Sequence, residues 1–314
     1  MPHLQQIGTF VPEESVSIAE LSDYLGLSSA QVRVHTKFFG QDKVAVAGDR
    51  DLTRMLVPAG EQALAGADRD SVRYLVYAHT IQYVAPVGHR VLDQVRAELG
   101  LRNATVFALS QQHCASPLYA LSVAEHLLAQ EGPDATVLVM TGEKAISPHF
   151  RLIPGTTVMG DATAACLLGT GPDGDEVLST AVRTLGRFYQ CNDASEEVLA
   201  DYVKVYNETV IGTMHDALAG IGLDFSDVDL VLPHNVNTFS WRKISAGCGI
   251  PLDRIYLDNV ATLGHCFGAD PFINLASARV AGKLRPGNIV LLVAAGLGAT
   301  FATVVARIGE GFSS

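Results

Sequence analysis

The sequence matches itself. VRYLVYAHT (72–80) resembles VDLVLPHNV (228–236), and TVFAL (105–109) resembles RIYLD (254–258). The pair His113-Cys114 recurs as His265-Cys266, and TVLVM (136–140) resembles NIVLL (288–292). The four recurrences keep their order and fall at offsets of 156, 149, 152 and 152 residues. Self-similarity at one period marks a repeated structural unit. The chain therefore divides into two copies, 1–170 and 171–314. Each reads as strands alternating with helices, the helices expected over 52–65, 87–99 and 116–130, then over 195–220, 239–248 and 270–283. Such alternation predicts an α/β fold with mainly parallel sheets buried on both faces. Copies related by a pseudo-dyad would bring the Cys114 turn against the His265 turn, with a site between the halves.

At 314 residues and 48% hydrophobic, the chain has enough apolar material for a large core. Its formal net charge of −11 excludes nucleic acid as the main partner, because phosphate binding needs a basic surface. The five cysteines, at 114, 166, 191, 248 and 266, form no CxxC pair, so neither a metal site nor a disulfide framework is expected. MPHLQQIGTFVPEE has no basic stretch followed by an apolar run, so a cytoplasmic protein is expected rather than a secreted one. IVLLVAAGLGATFATVVA (289–306) is 18 residues without a charge, the length of a membrane helix. Its β-branched residues and central Gly296 and Gly298 predict two buried strands joined as a hairpin instead, and no membrane partner.

One turn carries the candidate chemistry. In QQHCASPLYAL (111–121), an apolar strand ends and a helical pattern begins at Cys114. A helix N-terminus favours a thiolate and leaves backbone N–H groups to face an oxyanion. The commonest fate of a cysteine is an inert place in the core. A nucleophile also needs an activating partner. PHNVNTFSW (233–241) supplies His234, Asn235 and Asn237 just after a predicted strand, and GHCFGAD (264–270) supplies His265. Both histidines face the predicted cleft from strand ends, where α/β folds place their ligands.

In combination and order these motifs resemble β-ketoacyl-acyl-carrier-protein synthase III and its relatives in the thiolase superfamily, nearly end to end. LQQIGTFVPEE is similar to that family's opening strand, VFALSQQHCASPLYAL to its nucleophile turn, and VMGDATAACLLG (158–169) to its Gly-Asp strand entry. HNVN (234–237) is similar to its His-x-x-Asn motif, LGHCFGA (263–269) to its Gly-Asn loop, and VAAGLGAT (293–300) to its Gly-rich closing turn. The resemblance implies a thiolase fold, two duplicated halves in five α-β-α-β-α layers, and a homodimer. It implies that Cys114 takes an acyl group from a thioester on coenzyme A or an acyl carrier protein, with no further cofactor. The amides of Cys114 and Gly296, or a neighbour in that turn, would form the oxyanion hole, and His234 would bind the incoming thioester carbonyl. A malonyl-type thioester would lose carbon dioxide, and its enolate would attack the acyl-cysteine. Asn237 and His113 would contact substrate.

The sequence departs from the family pattern in three places. His265 stands where asparagine is usual. It can donate to an enolate oxygen and can also act as a base toward an alcohol or amine, which asparagine cannot. The alternative is therefore an ester- or amide-forming acyltransferase; a silent partner subunit would be expected to lack the cysteine. No tryptophan occurs in SSAQVRVHT (28–36), which weights the donor toward a carrier protein, and Ala162 stands where glycine is usual. Arg242 and Lys243, beside the single tryptophan, are the expected carrier-docking pair, with Arg33, Lys37 and Arg151 as further candidates.

Overall fold

The computed structural model describes residues 2–86, 88–190 and 194–310. Its main sheet is built from β1 (His3–Phe10), β2 (Val72–Ala78), β3 (Thr105–Leu109), β4 (Thr136–Glu143), β5 (Ala162–Gly169), β6 (Asp175–Thr184), β7 (Leu230–Pro233), β8 (Ile289–Gly296) and β9 (Thr300–Arg307). Laterally the order is β7-β8-β9-β6-β1-β5-β4-β2-β3. The first five strands lie in the order third-second-fourth-fifth-first. The second run repeats that order, with its third strand reduced to a single parallel bridge between Val231 and Ile255. RIYLD was expected to be a strand; only Ile255 pairs.

Six helices cover the sheet: α1 (Leu52–Ala63), α2 (Val91–Glu98), α3 (Ser116–Leu128), α4 (Glu196–Ala219), α5 (Thr238–Cys248) and α6 (Asp270–Val280). Strand alternation sorts the core into layers. In β4, Val137 and Val139 pack with α3 and α6, while Leu138 and Met140 pack with α1 and α2 on the other face. In β8, Leu292 and Ala294 face the same central helices, while Leu291 and Val293 face α4 and α5. Both sheet halves are thus buried on two faces, with α3 and α6 sandwiched between them. That is the expected five-layered arrangement.

The expected mainly parallel pairing is corrected. β2·β3, β2·β4 and β7·β8 are parallel, but β1·β5, β1·β6, β4·β5, β6·β9 and β8·β9 are antiparallel. A parallel return needs a crossover helix. The chain comes back from β4 and from β8 without one. The uncharged run 289–306 is the β8–β9 hairpin, with Ile289 opposite Arg307 and Gly296 opposite Thr300. Among the described residues no helix is long and apolar enough to cross a membrane.

The two central turns correspond, but not through their His-Cys pairs. His113 (φ 50°) and Phe267 (φ 54°) are the positive-φ residues other than glycine among those described. Each stands four residues ahead of the proline that opens its helix, Pro117 in α3 and Pro271 in α6. On this register Cys114 matches Gly268 and Ser116 matches Asp270, so the recurrence of His-Cys is two residues out of step. Gly268 is the contact point of the turns: a Cβ there would lie 2.5 Å from Pro117 Cγ.

The segment between β4 and β5 is clamped over the site. Asp161 accepts the amides of Ala47 and Ala145, each at 2.9 Å, and pairs with Arg151 at 2.8 Å. Arg151 also donates to the carbonyls of Ala145 and Met159 and is only 6% exposed, so it is removed from the candidate docking cations. Breaking such a buried pair from one side costs about 3–5 kcal/mol. Ala162 is fully buried in the central layer and lines neither cavity at Cys114.

Candidate active site

Cys114 lies 3% exposed in the short turn His113–Ala115, immediately before α3. Thr80 donates its hydroxyl to the Cys114 sulfur at 3.5 Å. Thr80 is itself placed by Glu143, whose buried carboxylate accepts the amides of Thr80 (2.7 Å) and Ile81 (2.5 Å). Burial pushes the Glu143 pKa up to about 7 against those hydrogen bonds.

The expected meeting of the two turns is observed. His265 is hydrogen-bonded to the Cys114 side chain. Its Nδ1 faces Asp270 Oδ2 at 2.5 Å, which leaves Nε2 for the sulfur. Asp270, fully buried at the start of α6, also accepts the amides of Asn235 (2.6 Å) and Cys266 (2.8 Å) and the side chain of Asn235 (3.2 Å). Burial works against the charged form of His265. Asp270 and Cys114 outweigh it and raise the His265 pKa to about 10. The backbone of His265 is fixed by Val158 and Gly160, through His265 N to Val158 O (3.1 Å) and Gly160 N to His265 O (2.9 Å). Gly160 is required there, because a Cβ would stand 2.0 Å from Leu263 O.

His234, fully buried just after β7, faces the same centre; its ring centroid is 5.9 Å from that of His265. Nε2 lies 2.6 Å from the Tyr206 hydroxyl and Nδ1 lies 3.3 Å from the Val293 carbonyl. Burial and the neighbouring His265 lower its pKa to about 3, so the ring is neutral. Trp241 Nε1 donates to the His234 carbonyl at 2.9 Å, which fixes the backbone.

The other expected residues divide. Asn237 caps α5: Oδ1 accepts Ser240 N at 2.7 Å and Nδ2 donates to Thr156 O at 3.1 Å. It also borders the smaller cavity beside Cys114. Gly296 lies behind the nucleophile turn, where a Cβ would meet Gln112 O at 2.1 Å. Its neighbour Leu297 is the residue of that hairpin bend bordering both cavities at Cys114. His113 lines the larger of them, and burial lowers its pKa. Arg242 and Lys243 are both exposed, and Lys243 borders the smaller cavity with Nζ 4.3 Å from the Phe239 ring centroid. Cys166, Cys248 and Cys266 are free thiols that border neither cavity at Cys114, and Cys191 lies outside the described residues.

Cys114 stands where the two cavities meet. One, of about 250 Å³, runs past Tyr206, Asn207, Phe239 and Lys243. The other, of about 880 Å³, is walled by Ile81, Phe150, Met159 and Phe267. Ile153 and Leu297 border both. Sequence reasoning did not single out Asp270, Tyr206, Thr80 or Leu297. Asp270 was legible as an acid five residues after His265. Tyr206 lies on a surface helix and gave no signal.

Comparison with known proteins agrees with this geometry. Residues 110–186 match the family model for 3-oxoacyl-[acyl-carrier-protein] synthase III, and residues 218–308 match its C-terminal model. The β-ketoacyl-[acyl-carrier-protein] synthase III of Acidiphilium cryptum is 27% identical over 325 residues, covering 97% of this chain and 98% of its own. Among solved structures, the acyltransferase ChlB3 superposes with a TM-score of 0.88 at 19% identity, covering 99% of this chain and 98% of its own. The 3-oxoacyl-[acyl-carrier-protein] synthase III of Aquifex aeolicus gives 0.83 at 22% identity, covering 98% of this chain and all of its own. With the thiolase fold, the cysteine turn and the two histidine loops all present, the chain belongs to the 3-oxoacyl-[acyl-carrier-protein] synthase III family, as a ketosynthase III-like condensing enzyme.

Proposed function

We propose that this enzyme loads an acyl group from a thioester onto the Cys114 sulfur and passes it to a second substrate, a malonyl-type thioester in the condensing reaction of its family. The observation that carries this reading is the buried Cys114–His265–Asp270 line at the junction of two cavities. An imidazolium beside a thiol favours the sulfur anion as nucleophile. The Cys114 thiolate attacks the thioester carbonyl, and the amides of Cys114 and Leu297 hold the oxyanion. On collapse the donor's sulfur leaves and takes the proton from His265. In condensation, carbon dioxide leaves the malonyl unit, the resulting enolate carbon attacks the acyl group, and the Cys114 thiolate departs.

A second reading, transfer to an alcohol or amine, is favoured by Asp270 behind His265. Once Cys114 is acylated, His265 no longer faces a thiolate. With Nδ1–H held by Asp270, its bare Nε2 can take the proton of an attacking O–H or N–H. Departure of the Cys114 thiolate then restores the starting pair.

Intact mass after incubation with acyl-coenzyme A and acyl-carrier-protein donors tests the acyl-enzyme. An adduct on Cys114 is expected in the native chain and none in Cys114→Ala; an undiminished adduct in the variant would sink the reading. The pair also predicts a pH dependence. His265 is charged below about pH 10 in the folded chain and below about 6.5, its ordinary value, when unfolded. The folded state holds the extra proton between these values, so the pair's contribution to stability is complete below about pH 6.5 and disappears as pH rises toward 10. Denaturant titrations across that window should show a falling stability in the native chain and a flatter curve in Asp270→Asn.

Carrier docking through Arg242 and Lys243 is supported by Lys243 at the mouth of the smaller cavity. Reversing both to glutamate should slow acyl transfer from a carrier protein several-fold while leaving coenzyme A donors much less affected. Equal rates for both donors would remove the patch. A homodimer is supported by β3, the edge strand of the sheet, beside the 71% exposed Tyr83. A second copy would cover this edge. Analytical ultracentrifugation should give twice the chain mass, and a monomer at micromolar concentration would refute it.

A further inference from the structure

His113 immediately precedes the nucleophile and takes no part in the chemistry above. Its φ of 50° lies in the left-handed region, shared among the described non-glycine residues only by Phe267, its counterpart across the pseudo-dyad. Such a conformation persists where the surroundings enforce it. Both residues line the larger cavity. Phe267 is buried in an apolar cluster with Ile81, Met159, Phe150 and Ile153, which walls that cavity. His113 puts an imidazole at the equivalent place, against the β8–β9 bend: a Cβ on Gly298 would stand 3.5 Å from its Cδ2 and Nε2.

The four buried histidines each have a hydrogen-bond partner: His35 has Gln41, His79 the Ile81 carbonyl, His234 Tyr206, and His265 Asp270. No group among the described residues is bonded to the half-buried ring of His113. Burial holds its pKa below the ordinary value, so the neutral ring offers one N–H and one lone pair. The other polar side chains of the cavity are placed differently. Thr80 gives its hydroxyl to the Cys114 sulfur, and Gln82, Tyr83 and His149 are exposed. An acyl chain that fills the cavity shuts solvent away from the His113 ring, and an all-carbon chain leaves a donor and an acceptor unpaired. A hydroxyl on the chain serves either nitrogen in either tautomer, because it both donates and accepts. A carboxylate would bring an unpaired charge into an apolar space.

We propose that His113 is a specificity-determining residue, and that the acyl group carried on Cys114 bears a hydroxyl that pairs with the His113 ring inside the larger cavity. The proposal rests on the acyl-Cys114 reading and names the substrate class of that site. The larger cavity takes the acyl chain because its walls are mostly apolar, whereas the smaller one is bordered by Tyr206, Asn207 and Lys243. A pocket that pairs a substrate hydroxyl discriminates strongly against the analogue lacking it, since the pocket's own polar group is then stranded. An unsubstituted chain of the same length meets the same walls but forfeits that pair.

Acyl loading followed by intact mass tests the proposal. Hexanoyl thioesters of coenzyme A and of a carrier protein are set in competition with their 2-, 3- and 6-hydroxy counterparts. At least one hydroxylated chain should load onto Cys114 about tenfold faster than hexanoyl, the gain from one satisfied buried hydrogen bond. His113→Phe keeps a ring that position 267 shows to be compatible with this backbone, and should reverse the preference. His113→Asn, which tolerates a positive φ and keeps both a donor and an acceptor, should restore part of it. A native chain that loads hexanoyl at least as fast as every hydroxylated probe, or a preference unchanged in His113→Phe, would overturn the proposal. A merely structural His113 would slow all the chains alike when replaced, leaving the preference where it was. No adduct from any donor would count against the acyl-enzyme reading instead. Nitrogen-15 signals of the His113 ring, assigned with His113→Phe, then decide the contact on the intact thioesters: a larger shift with a hydroxylated chain than with hexanoyl supports it, and equal shifts overturn it.

Discussion

The carboxylate of Asp270 ties the active centre together. It accepts the backbone amide and side chain of Asn235 from the loop after β7, the amide of Cys266, and Nδ1 of His265. It also opens α6, so the helix dipole adds to the stabilisation of its charge. Asn235 is held in turn by Asn274 of the same helix, at 2.9 Å. One buried charge thus aligns the two histidine-bearing loops and aims His265 across the pseudo-dyad at Cys114. A neutral replacement would keep the shape but lose the electrostatic reason for a charged imidazole in a dry site.

The sheet serves as the frame for that alignment. Because α3 and α6 pack side by side between two sheet halves, their N-termini meet, and each opens a turn bearing part of the chemistry. Only glycine permits the approach at 268, where a Cβ would strike Pro117, and at 296, where it would strike Gln112 O. Cys114 therefore reaches both cavities from a position that is itself almost closed to solvent.

Much of this was legible in the sequence because period and order are local properties. The hairpin over 289–306 followed from β-branched residues and two glycines, and the helices fell close to their expected spans. The duplication was legible too, but its register at the turns was not. Matching letters paired His113-Cys114 with His265-Cys266, whereas the shared backbone conformation pairs His113 with Phe267. Strand direction escaped as well, since a return without a crossover helix depends on the length and shape of the segment 144–161. The helix cap made by Asn237 was not legible beside its place at the cavity, because capping and binding use the same residue type.

Tyr206 marks the deeper limit. Its hydroxyl meets a ring nitrogen of His234, 28 residues away along the chain. No spacing rule connects a tyrosine on an outer helix to an imidazole nitrogen at a strand end; only packing does.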